Sequence, residues 1–80
     1  MNIQLIRGHF DAREALDLIT QMIHVKIKYQ EDRIQRDSHE EDVKMRERRI
    51  KELQKDLFEM RKHIESKSGL IDMTATIEIL

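Results

Sequence analysis

Apolar residues recur along this chain with two different periods, and each period predicts a different element. In MNIQLIRG at the N-terminus, Met1, Ile3 and Leu5 alternate with Asn2 and Gln4, the two-residue repeat of a half-buried strand. Ile6 breaks the alternation, so this strand is predicted over residues 2–7. At the other end, LIDMTATIEIL sets Ile71, Met73, Ala75, Ile77 and Ile79 on one face and Asp72, Thr74, Thr76 and Glu78 on the other. Its β-branched residues suit a pleated sheet, and a second strand is predicted over 71–79.

Between the strands the period lengthens to that of helices. Asp11 precedes Glu14, and Ser38 precedes Glu41, at the spacing of a capping box, so helices are predicted over 12–36 and 39–67. Ser68 and Gly69 offer a left-handed stop to the second. Nothing breaks either helix earlier, because the chain has no proline and its two glycines are Gly8 and Gly69. Val43, Ile50, Leu53, Leu57, Met60 and Ile64 form one narrow stripe, interrupted only by Arg46, and Ala12, Leu16, Ile19, Ile23, Ile27 and Ile34 form its match. A reversal near Asp37 brings Ile34 to Val43, Ile27 to Ile50, Leu16 toward Met60 and Ala12 to Ile64, an antiparallel hairpin about 36 Å long at 1.5 Å per residue. A hairpin returns the chain to its starting end, so the two strands can pair antiparallel beneath it. The predicted fold is α+β, in the order β-α-α-β, as a single domain over residues 1–80.

The first helix carries more apolar surface than one neighbouring helix can cover. Leu18, Met22, Val25 and Tyr29 make a second stripe, and Phe58 and Met45 lie off the seam of the second helix. A short sheet can cover Leu18 and Met22, but Val25 and Tyr29 lie too far along the hairpin for it. The last strand also lacks the proline or lysine that usually protects a sheet edge. An oligomer interface drawn from Leu18, Val25, Tyr29, Phe58, Ile77 and Ile79 is therefore expected, with a homodimer as the simplest assembly. The same edge or hairpin can instead accept another protein, by strand addition or along the helices.

Composition removes several other classes. Charged and hydrophobic residues each make up 39% of the chain, a balance suited to a surface-rich helical protein. Fifteen Lys and Arg against sixteen Asp and Glu leave a net charge of −1, too little for a global attraction to nucleic acid or anionic membrane. The absence of cysteine excludes disulfides, thiolate zinc sites and thiol nucleophiles. No apolar run exceeds two residues, so no membrane-spanning or secretory segment is expected, and a cytoplasmic location is the default.

Candidate chemistry is sparse. His9, His24, His39 and His63 show no helical pair spacing for a metal, so neither metal nor cofactor is expected. His24 falls on a polar helix face and His39 in the first turn of the second helix. His9 and His63 belong near the sheet end of the hairpin, where they can form a small polar cluster with Asp11. Lys44, Arg48, Lys51, Lys55 and Lys62 align along the second helix, but Glu47, Glu52 and Glu59 flank them, as on a solvated face. No phosphate loop, activated nucleophile or paired carboxylate site can be placed, so no enzyme is expected. The leading expectation is a non-enzymatic, homo-oligomeric interaction or scaffold module. The alternative is a small nucleic-acid-associated regulator using the basic row.

The stretch GHFDAREALDLITQMIHVKIKY, the charged helix-helix turn after it and the closing TATIEIL resemble small uncharacterised bacterial proteins built as strand, helical hairpin and strand. That resemblance implies the fold and a bacterial origin, and no activity.

Overall fold

The computed structural model describes residues 1–36 and 39–80. Strand β1 (Asn2–Phe10) leads into helix α1 (Ala12–Arg36), followed by helix α2 (Glu40–Glu65) and strand β2 (Ile71–Glu78). The strands pair antiparallel in one two-stranded sheet, so the α+β fold and its β-α-α-β order are as the periodicity predicts. The expected reversal at Asp37 and cap at Ser38 lie outside the described residues.

Strand β1 runs three residues beyond its predicted end, to Phe10, and the break in alternation at Ile6 explains why. Gln4 lies opposite Thr76 and Ile6 opposite Ala75, so Leu5 is an extra residue, a β-bulge. One extra residue resets the two-residue phase without ending the strand. On the inner face, turned toward the helices, Ile3 therefore sits opposite Ile77, Ile6 opposite Ala75, Gly8 opposite Met73 and Phe10 opposite Ile71. Gly8 has φ +149°, a conformation that L side chains rarely adopt. The outer face is polar throughout, with Asn2, Gln4, Arg7 and His9 opposite Glu78, Thr76, Thr74 and Asp72.

Asp11 starts α1 as expected. Its carboxylate accepts the Glu14 N–H at 2.8 Å, and its carbonyl accepts the Ala15 N–H at 2.9 Å. The Glu14 backbone N–H, helped by the Glu14 carboxyl, holds Asp11 below the usual carboxylate range, while hydrogen bonding to Asp11 pushes Glu14 up. His39 is not in the first turn of α2 but before it: its extended backbone (φ −93°, ψ 124°) makes it the N-cap residue. At the far end α2 stops at Glu65, two residues short of its predicted end. Ser66 closes it, accepting its place in the last turn by donating from Oγ to the His63 carbonyl at 2.7 Å. Gly69, with φ +83°, adopts the expected left-handed conformation, but in the turn toward β2 rather than directly at the cap.

The hairpin is joined by apolar packing and by one polar layer. Leu53 and Ile64 of α2 and Ala15 of α1 are buried, as is Ile6 of β1. Arg46, which interrupts the apolar stripe of α2, donates from Nη1 to Oε1 of the buried Gln30 at 2.9 Å. This layer falls between the expected pairs Ile34–Val43 and Ile27–Ile50, in the register that the two stripes predict. A polar pair in an apolar seam favours one register, because any slip separates the two groups.

Candidate interaction surface

Exposure along the inner face of the sheet changes steadily from one end to the other. Ile71, Met73 and Ala75 are half-buried beneath the helices, whereas Ile77 is 44% and Ile79 50% exposed. On β1, Ile6 is buried while Met1 is 81% exposed. The helices thus cover the end of the sheet nearest the start of α1 and leave bare the end that carries both chain termini. That end is nevertheless ordered by pairing: Ile79 donates to the Met1 carbonyl at 2.7 Å, and the Met1 amine donates to the Ile79 carbonyl at 2.9 Å.

This exchange fixes which backbone groups of β2 are free. Antiparallel residues alternate between pointing both backbone groups at the neighbouring strand and pointing both away. Ile79 points inward, and Ile77, Ala75, Met73 and Ile71 share its phase. The N–H and C=O groups of Asp72, Thr74, Thr76 and Glu78 therefore line the open edge. This edge is regular, whereas the open edge of β1 is interrupted by the Leu5 bulge.

Beside β2 lies an open hollow of about 650 Å³, lined by Ile19 of α1, by Met60 and Ile64 of α2 and by Ile71 and Met73 of β2. Glu59, His63, Lys67 and Asp72 stand around it. On the β1 side, Leu18 and Met22 line a second hollow with Leu5, Ile6 and Phe10, and Leu18 is half-buried there. The other predicted interface residues are exposed: Val25 is 69% and Tyr29 56% exposed on the shaft of α1, and Phe58 is exposed on α2 with the Lys62 ammonium 4.8 Å from its ring centre. The sequence did not single out Gln30 or the hollow, and it set Leu5 on the face of Met1 and Ile3, whereas Leu5 is the bulge residue and half exposed. Leu5 carries the one available signal, the doubled apolar pair Leu5–Ile6 within an alternating segment.

The expected cluster of His9, His63 and Asp11 is not what is observed; His9 instead belongs to a pair. His9 pairs through Nδ1 with Asp72, directly across the sheet on the outer face, while Asp11 is engaged at the start of α1. His63 lines the hollow that Asp72 also reaches from the other strand. Among the described residues no three His, Asp or Glu side chains are grouped closely enough to hold a metal ion. Lys44, Arg48, Lys51, Lys55 and Lys62 are all exposed along α2, and Lys44 pairs with Glu40 at 3.3 Å. No described helix is long and apolar enough to cross a membrane. No protein-family model, curated protein or solved structure matches the chain.

Proposed function

We propose that this protein is a non-enzymatic, homo-oligomeric interaction module whose working form is a dimer. The supporting observation is its surface. The chain exposes 6671 Å², whereas a folded monomer of 9.7 kDa is expected to expose about 5100 Å². The excess, roughly 1500 Å², falls within the area that one partner buries in an obligate homodimer, about 1000–2500 Å². Shape agrees with area: the radius of gyration is 15.2 Å, against about 11.6 Å for a compact chain of this length. The exposed residues include the large apolar side chains of Met1, Leu5, Val25, Tyr29, Phe58, Ile77, Ile79 and Leu80.

Sedimentation equilibrium between low and high micromolar concentration tests this reading. The expected mass is twice the 9.7 kDa of one chain. A folded monomer persisting at high micromolar concentration would overturn it.

A further inference from the structure

We infer that two copies join through the open edges of β2, forming a four-stranded antiparallel sheet in which Ile77 of each copy enters the hollow between α2 and β2 of the other. This rests on the dimer reading above and specifies where the second copy sits. Three observations carry it. The β2 edge is the regular one, with the backbone groups of Asp72, Thr74, Thr76 and Glu78 directed outward and no proline or lysine to block a new strand. The hollow beside that edge is floored by Ile19, Met60, Ile64, Ile71 and Met73 and rimmed by ionisable side chains, and no described strand of its own chain fills it. The bare end of the sheet supplies Ile77, an apolar side chain that matches the isoleucines lining the hollow, and the excess surface is of the size such a dimer buries.

The register follows from matching faces and charges. Residues directly opposite in an antiparallel pair share a face, so inner-face residues must meet inner-face residues, and the two-fold axis must pass through a residue position. An axis at Ala75 would set Asp72 directly against Glu78 of the second copy, twice, and like charges so placed repel. An axis at Thr76 would pair only residues 74–78 of β2, whereas an axis at Thr74 pairs residues 71–77. The Thr74 axis places Asp72 opposite the second copy's Thr76, Met73 opposite its Ala75 and Ile71 opposite its Ile77. Ile71 lines the hollow, so this register delivers the incoming Ile77 to it.

Single cysteines introduced into this cysteine-free chain test the geometry. Thr74 lies on the polar outer face, and on a two-fold axis two copies of Thr74→Cys would stand about 5.5 Å apart between Cα atoms, within reach of a disulfide. Under mild oxidation at low micromolar concentration, Thr74→Cys is expected to form a covalent dimer on the order of tenfold faster than Gln4→Cys on β1 or Tyr29→Cys on α1. The advantage should vanish in urea. Ile77→Lys, which sends a charge into the hollow, is expected to shift the sedimenting species to a folded monomer. A wild-type monomer would overturn the dimer reading itself. A wild-type dimer that cross-links preferentially through Tyr29→Cys, or through Thr76→Cys, would leave that reading standing and overturn this interface.

Discussion

At the middle of the hairpin, Leu53 is buried, and Arg46, which interrupts the apolar stripe, finds Gln30. At the far end of the sheet, Ile77 and Ile79 belong to an equally regular apolar face, yet both remain about half exposed. Two helices side by side cover one stripe on each other, although Val25, Tyr29 and Phe58 outside that seam stay exposed. Two strands cannot do this, because a sheet has a face to cover and two edges to pair, and the helices here reach only part of that face. Under the dimer proposed above, the part of the sheet that the helices leave bare is where a second copy is expected to matter most.

The largest effect should come from cutting into the buried middle of the hairpin. Leu53→Ala is expected to destabilise the protein by about 3 kcal/mol, read as a lowered urea midpoint, because few side chains share the burial. A change no larger than that of Ile79→Ala would contradict the contrast drawn between hairpin and sheet end. For Ile79→Ala, thermal stability is expected to fall with dilution as the dimer dissociates, since stability linked to association depends on concentration.

Breaking the polar layer should cost less. Gln30→Leu deprives Arg46 of an acceptor in a partly buried seam and is expected to destabilise by about 1–2 kcal/mol in chemical denaturation. Adding Arg46→Leu should restore much of the loss while weakening the preference for one register. A double variant as unstable as the single one would show that the layer acts through packing rather than polarity.

Smaller effects mark the charged surfaces. Val25→Lys with Tyr29→Lys should leave mass and stability nearly unchanged if the β2 edge forms the dimer, and should give monomers if the α1 shaft does; sedimentation separates the two. Nucleic acid should bind weakly to the row from Lys44 to Lys62 and be released at about 0.15 M salt, where exposed charges are strongly screened. Submicromolar binding at that salt, lost on Arg48→Glu with Lys51→Glu, would replace the interaction-module reading with a regulator of nucleic acid.

The smallest effect concerns pH at the start of α1. Because the folded state lowers the Asp11 pKa, its stabilisation is present above the unfolded carboxylate value and is lost as pH falls through the folded one. Glu14 is shifted up, so its contribution has the opposite sign and is lost as pH rises through its folded value. The Glu14 amide resonance, reporting the bond to Asp11, should therefore titrate with a midpoint below 3.8, the ordinary Asp value. A midpoint above it would remove the cap as the cause.

The order of elements, the Asp11 cap of α1 and the pairing of the stripes were legible in the sequence, because periodicity and caps are local properties written in neighbouring residues; α2 begins within a residue of its predicted start, but with His39 as its N-cap residue and no side-chain cap bond. Arg46 was legible as a break in the α2 stripe, but its partner was not, since an exposed glutamine and a buried one look alike in a sequence. The break in alternation at Ile6 is legible, but alternation alone does not distinguish an irregularity at a strand's end from a bulge within it; the facing strand decides that, by keeping its own phase past Leu5. The sequence likewise marked Ile77 and Ile79 as members of an apolar face, but not as its uncovered members. That was decided by how far α1 and α2 extend over the sheet, a matter of packing between segments some sixty residues apart in the chain, which no local pattern encodes.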